Sequence, residues 1–96
     1  MSRIPRNAKR DLNEKPIIQA LEAQGFSVAR INGAGVPDLV VGKGATFCRL
    51  VEIKQPNGKH RASQVAFAEQ WRGPAPITLR SVDDALRFGL LAMESK

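Results

Sequence analysis

Two carboxylates lie in short apolar runs of this chain, where a soluble protein normally excludes charge. Asp38 precedes Leu-Val-Val in the run 35–41, and Glu52 is enclosed by Leu-Val and Ile in the run 50–55. Both runs are bounded by Gly or Pro, which is typical of strands in the interior of a sheet. The fold must therefore accommodate two acidic side chains on its central strands.

The two runs predict adjacent strands. Side chains alternate along a strand, so Glu52 and Lys54 share one face. A hairpin through residues 42–44 would pair this strand with the one that carries Asp38. Two carboxylates and an ammonium would then converge, and close carboxylates repel unless a cation lies between them. Mg²⁺ suits such a site because it takes oxygen ligands and needs only one or two carboxylates.

A Pro-Asp pair at 37–38 followed by Glu-Ile-Lys at 52–54 resembles the signature of the PD-(D/E)XK nuclease superfamily. The chain is most similar to its VRR-NUC branch, the virus-type replication-repair nuclease domain. There a G-x-P-D-L run precedes an E-x-K strand, and a helix bearing Gln, here Gln64, follows. The resemblance spans about residues 13–81. It implies a restriction-endonuclease-like core and Mg²⁺- or Mn²⁺-dependent hydrolysis of DNA.

The resemblance also implies roles for single residues. Asp38 and Glu52 would bind the metal together with the backbone carbonyl of Ile53. Lys54 would orient and activate the attacking water or offset charge in the transition state. Gln64 would lie beside Lys54.

In this family a Glu near the start of the first helix completes the metal site. Glu14 is in that place and would help to position the ion or its water, with Glu22, nearer the helix end, as the second choice. Glu14 also has a structural explanation, because acidic residues are favoured at the positive end of a helix dipole.

Hydrophobic periodicity and breaker residues predict an α/β domain of order αβββαβα, a mixed sheet of about four strands flanked by helices. We expect one nuclease domain over residues 11–96, after a basic flexible arm over residues 1–10. The predicted helices are 14–24, 61 or 63 to 72, and 82–93, and the predicted strands are 26–31, 37–41, 46–54 and 76–81.

Several local features carry structural predictions. Asn13 is expected to cap the first helix and Pro16 to lie in its first turn. Cys48 is expected to be buried. Phe67 and Trp71, spaced i and i+4, are expected to pack in the core and not to stack on bases.

Gly33 and Gly35 lie directly before Asp38 and predict a turn that borders the site. Their alternative use is to let a DNA backbone approach closely.

Fifteen Lys and Arg against nine Asp and Glu give a net charge of +6, which favours a polyanionic partner such as DNA. The arm is either a solubilising tail or a source of phosphate contacts, and the lone histidine is either a surface residue or a site residue. The predicted DNA-binding residues are Arg3, Arg6, Lys9, Arg10, Lys59, His60 and Arg61.

One cysteine excludes an internal disulfide, and the sequence contains no long apolar run. We expect a cytoplasmic protein of a bacterium or a phage-infected host, with no membrane partner and no small-molecule cofactor.

The predicted function is structure-selective DNA cleavage by a homodimer, as in Holliday-junction resolvases, because a small domain with one site cuts two strands only as a pair. The sequence does not identify the dimer surface, but the last helix is a candidate because it carries apolar residues on more than one side, including Phe88, Leu90 and Leu91. Two alternatives remain open: a nickase, flap or duplex endonuclease of the same fold, and a basic DNA-binding module without catalysis.

Overall fold

A computed structural model describes the backbone of residues 5–94 and the side chains of residues 13–93. This part of the chain forms three helices and a four-stranded mixed sheet, an α/β fold in the predicted order αβββαβα. The elements are α1 (Pro5–Ala23), β1 (Ser27–Arg30), β2 (Leu39–Lys43), β3 (Phe47–Ile53), α2 (Ala62–Gln70), β4 (Ile77–Leu79) and α3 (Val82–Glu94).

The strands follow the order β1-β2-β3-β4 across the sheet. The first three form an antiparallel meander, and β4 pairs in parallel with β3. A parallel pair needs a long crossover connection, and the segment that contains α2 supplies it. Gly44 turns the β2–β3 hairpin with φ +68°, a conformation that glycine adopts without steric cost. Glu52, which pairs with Thr78, therefore lies on an interior strand of the sheet.

One face of the sheet carries the hydrophobic core. Val41 and Val51 of the central strands are fully buried and belong to one cluster with Ile17 of α1 and Phe88 of α3. Phe26, between α1 and β1, contacts the Phe88 ring at a centroid distance of 5.2 Å. Because side chains alternate along β3, Glu52 points to the opposite face. The core and Glu52 thus occupy different faces of the same strand.

The first helix begins at Pro5, not near residue 14 as predicted. Residues 5–10, which were assigned to the basic arm, form its first turns, and residues 1–4 lie outside the described part. Pro16 is inside the helix, whereas the prediction placed it in the first turn. The helix continues past Pro16 to Ala23.

The second helix departs from the prediction. None of the residues of α2 is buried. The Phe67 and Trp71 rings stack on each other at 5.4 Å, but Phe67 is half-buried and Trp71 is 44% exposed. The prediction that this pair belongs to the core is therefore wrong, since the core lies on the other face of the sheet. Cys48 is also exposed, contrary to prediction, because it lies near the hairpin turn on the face away from the core.

The last helix agrees with the prediction. The Ser81 hydroxyl accepts a hydrogen bond from the Asp84 backbone N–H at 3.1 Å and so caps α3. No helix within residues 5–94 has both the length and the apolar character needed to cross a membrane.

Candidate active site

The central hairpin brings Asp38 and Glu52 to one end of the sheet. Leu39 pairs with Val51, so the same register continued by one residue sets Asp38 opposite Glu52. Directly opposed residues of an antiparallel pair have side chains on the same face. Asp38 Oδ2 accepts a hydrogen bond from the Ile53 backbone N–H at 2.7 Å, which ties Asp38 to β3. The two carboxylates predicted to share a site are therefore neighbours across the strand pair.

Glu52 is a buried acid with 4% of its surface exposed. Burial of a charged group costs free energy unless hydrogen bonds or opposite charges compensate. Part of the compensation comes from Gln64, whose Nε2 donates to Glu52 Oε1 at 3.1 Å. Natural proteins keep such unfavourable placements mainly where function requires them.

The Gln64 side chain connects three parts of the site. Its Oε1 accepts hydrogen bonds from Lys54 Nζ and from the Arg61 backbone N–H, each at 2.8 Å, while its Nε2 donates to Glu52. Gln64 therefore lies beside Lys54, at the position expected for it. Since α2 has no buried residue, these hydrogen bonds are a principal attachment of the helix to the sheet.

The first helix reaches the same end of the sheet. Asn13 Nδ2 donates to the Lys54 carbonyl at 2.7 Å, so Asn13 does not cap the helix as predicted but holds the end of β3. Glu14 Oε1 lies 3.4 Å from Arg30 Nε. Arg30 pairs with Leu39, the residue after Asp38. These contacts place the middle of α1 at the edge of the site.

Glu14 is buried and Glu22 is exposed. Because α1 begins at Pro5, Glu14 lies inside the helix and the dipole explanation for it does not apply. Among the side chains of residues 13–93, no three His, Cys, Asp or Glu residues form a group that could hold a metal ion.

The residues present fit a hard divalent cation. Asp38 and Glu52 offer carboxylate oxygens side by side, and the Ile53 carbonyl belongs to the same strand end. Mg²⁺ commonly uses one or two protein carboxylates and completes its shell with water and substrate phosphate oxygens. A third carboxylate is therefore not required for binding.

The loop before Asp38 packs tightly against α2. Gly35 has φ +77°, and a Cβ atom added there would lie 2.5 Å from the Ser63 carbonyl oxygen. The glycine thus makes the expected turn and also permits a close backbone approach, but the neighbour is the protein's own second helix. Gly35 in this way helps to fix the distance between the Asp38 loop and the helix that carries Gln64.

We expect Gly35→Ala to destabilise the fold by about 3 kcal/mol, because strain at positive φ adds to a backbone clash. Gly44→Ala is the matched control: its φ is +68°, but an added Cβ would meet nothing within 4 Å. The control should cost only about 1 to 2 kcal/mol. Urea unfolding of both variants measures the difference, and equal losses would show that the contact with Ser63 is unimportant.

The predicted DNA-binding residues are only partly described. Lys59, His60 and Arg61 are exposed in the segment that leads into α2, next to the site. Arg61 is the N-cap residue of that helix. Arg3 lies outside the described residues. For Arg6, Lys9 and Arg10 the structure describes the backbone but not the side chains.

Sequence reasoning missed two residues that organise the site. Asn13 contacts β3 through its side chain, and the only local signal was a poor helix former within a helical stretch. Arg80 Nη1 donates to the carbonyls of Gln55 and Gly58 at 3.0 and 2.6 Å and so holds the loop between β3 and α2. No sequence signal pointed to Arg80, because its partners are distant backbone atoms.

No protein-family model matches the chain, and no curated protein is significantly similar to it in sequence.

Proposed function

We propose that this protein is a metal-dependent, structure-selective DNA endonuclease that hydrolyses phosphodiester bonds. One observation carries the proposal: a buried glutamate and a lysine of the same strand end are joined through a single glutamine, with an aspartate opposite the glutamate. The Gln64 amide accepts a hydrogen bond from Lys54 and donates one to Glu52, so it holds both side chains in defined positions.

The residues that would hold Mg²⁺ or Mn²⁺ are Asp38, Glu52 and the Ile53 carbonyl, and Glu14 of α1 would help to position the ion or its water. When bound, such an ion would supply Lewis acidity toward the phosphate oxygens and would lower the pKa of a water molecule. These carboxylates can take part in catalysis only when a metal ion is bound, because carboxylates alone would repel the phosphate.

Lys54 supplies the positive charge in this scheme. Its ammonium is held by Gln64 Oε1 at 2.8 Å and so has a defined direction before the substrate arrives. A preorganised cation stabilises negative charge that develops on the phosphate during attack, and it also orients a water molecule. Gln64 acts as a positioning residue because it contacts both Lys54 and Glu52.

A charge of +6 supports DNA as the substrate, since cationic side chains bind phosphates and release counterions. Lys59 and Arg61 are exposed beside the site and would hold the backbone near the scissile bond.

The rival is a basic module that only binds DNA. Such a module has no use for Glu52, and its carboxylates would weaken binding. Asp38→Ala should then improve DNA affinity in metal-free buffer, and the wild type should cut no DNA with any metal. The position of Glu52 favours the nuclease, because a module that only binds DNA has no chemical use for an acid held beside Lys54 and Gln64.

We further propose that the protein acts as a homodimer on branched DNA such as a four-way junction. The last helix has the required surface, although Phe88 is buried and Leu91 packs against the core, so neither is available as predicted. Leu90 remains, 59% exposed. It belongs to an exposed apolar stripe at helical spacing, which consists of Val82, Leu86, Leu90 and Met93.

A second copy of this chain fits the stripe best. Among the described side chains of α3, the exposed charges beside the stripe are one acid and one base, Asp83 and Arg87, so two basic copies can meet there without opposing like charges. A two-fold axis through α3 would also present two sites to a substrate with two-fold symmetry.

We expect the double variant Leu86→Lys/Leu90→Lys to be a folded monomer of 10.5 kDa and the wild type to have twice that mass. Both leucines are exposed, so the fold should survive. Light scattering after size exclusion measures the mass. Ala66→Lys, which adds one positive charge on α2, is the control and should leave the dimer intact. A monomeric wild type at high concentration would exclude the dimer.

Cleavage of labelled four-way junction, nicked, flap and linear duplex DNA tests the proposed activity. We expect paired symmetric cuts in the junction with Mg²⁺ or Mn²⁺ and no cuts with EDTA. Cutting of another substrate in preference would favour the nickase, flap or duplex alternative. DNA binding without any cutting would favour the accessory module.

A further inference from the structure

A recess of about 320 Å³ opens beside the site, between α2 and the edge strand β4. Glu52 and Gln64 form part of its lining, so it is continuous with the proposed catalytic residues. Its other walls include His60, Val65, Ala68 and Thr78. In the proposed mechanism, neither the metal ion nor Lys54 occupies this recess.

The lining of the recess is apolar on one side and polar on the other. Val65 and Ala68 of α2 present aliphatic surface, and Pro76 lies across from them. His60 Nε2 and Thr78 Oγ1 form a hydrogen bond of 2.9 Å at the exposed end. A flat aromatic ring with polar edges matches such a lining, because its faces contact aliphatic groups and its edges hydrogen-bond.

The charges in the recess exclude a phosphate. Glu69 lies in the lining together with Glu52, and both repel an anion. A nucleobase is uncharged, and its exocyclic amino group can donate to a carboxylate. The volume is at the lower end of the range for ligand pockets, which suits a single base better than two stacked bases.

We propose that this recess binds one unstacked nucleobase, from a nucleotide next to the scissile phosphate. The inference rests on the proposed nuclease function and specifies its substrate class: DNA with an unpaired or splayed nucleotide at the cut. A base inside a continuous duplex is stacked on both faces and cannot enter, whereas a branch point or flap has bases that are more easily unstacked. The recess thereby explains how a small domain selects structured DNA.

DNA substrates that lack one base test directly whether the recess binds a nucleobase. We place an abasic site at each nucleotide that flanks the cut in branched DNA and measure single-turnover cleavage. The base would bury apolar surface against Val65, Ala68 and Pro76, and the loss of these contacts should slow cleavage roughly tenfold at one of these positions. With 2-aminopurine at that position, wild-type protein should change the fluorescence on binding.

Two substitutions on the same helix provide a matched pair. Ala68→Leu fills the recess, and Ala66→Leu adds the same side chain at an exposed position that does not line it. We expect Ala68→Leu to cleave the normal substrate roughly tenfold more slowly and to lose the difference between normal and abasic DNA. Ala66→Leu should behave as the wild type.

The outcomes of these experiments separate the recess proposal from the proposed nuclease function. Equal cleavage of normal and abasic substrates at every position by the wild type, with metal-dependent activity intact, would overturn the recess proposal alone. The aminopurine signal comes from the wild type and so does not depend on the folding of a variant. Failure to cleave any DNA with Mg²⁺ or Mn²⁺ would overturn the nuclease function and this inference with it.

Discussion

Glu52→Gln is expected to lower the cleavage rate by about a thousandfold, because it removes a charged metal ligand whose contribution is several kcal/mol. The loss should appear in the rate constant at saturating DNA. Single-turnover kinetics with excess enzyme and Mg²⁺ measures it. Binding of DNA in metal-free buffer should be unchanged or tighter, since a negative charge near the phosphate is removed.

The fold should tolerate this substitution. Glutamine has the size of glutamate, and its carbonyl oxygen can still accept the hydrogen bond that Gln64 Nε2 gives to Glu52 Oε1 at 3.1 Å. Thermal unfolding should therefore show a cooperative transition, as in the wild type.

The matched control for this experiment is Glu22→Gln, which neutralises an exposed acid of α1. We expect it to cleave DNA as the wild type does. Wild-type activity in Glu52→Gln would remove Glu52 from the catalytic site, and a loss in the Glu22 variant would bring that residue into it.

Lys54→Met is expected to slow cleavage by roughly a hundredfold to a thousandfold, the usual effect of removing one preorganised group that stabilises developing charge. Methionine keeps most of the aliphatic length but lacks the ammonium. Gln64 Oε1 retains its hydrogen bond from the Arg61 backbone N–H, so the start of α2 should stay in place. Affinity for DNA should fall only slightly, since Lys54 is one of fifteen basic residues.

Lys59→Met provides the contrast, because Lys59 is an exposed lysine in the loop beyond the site. Lys59→Met should weaken binding to all DNA sequences to a similar extent. It should also reduce the slope of log K against the logarithm of the salt concentration by about one. Its rate at saturating DNA should be normal. If the two variants behaved alike, Lys54 would be a phosphate contact and not part of the catalytic machinery.

The order of elements could be predicted because each local signal agreed with the fold. Apolar runs flanked by Gly and Pro marked β2 and β3, and the Ser81 cap marked the start of α3. The proximity of Asp38 and Glu52 followed from a short hairpin, where strand alternation and register leave few arrangements. Local rules are sufficient for such short-range geometry.

Other features depended on contacts between distant residues. The start of α1 was predicted too late because Pro16 was read as a first-turn proline, although a longer helix accommodates it. Phe67 and Trp71 have the spacing of a core pair, yet α2 lies on the face away from the core. Periodicity identifies which residues share a helix face, but it does not identify what that face meets.

The sequence by itself determined the α/β order, the carboxylates on the central strands and the lysine beside Glu52. Only the tertiary structure decided that Gln64 joins Lys54 to Glu52, that Asn13 and Arg80 hold the ends of neighbouring segments, and that a recess opens under α2. The physical reason is the range of the interactions. Strand alternation acts between adjacent residues, whereas these hydrogen bonds and this cavity form only where segments far apart in the chain pack together.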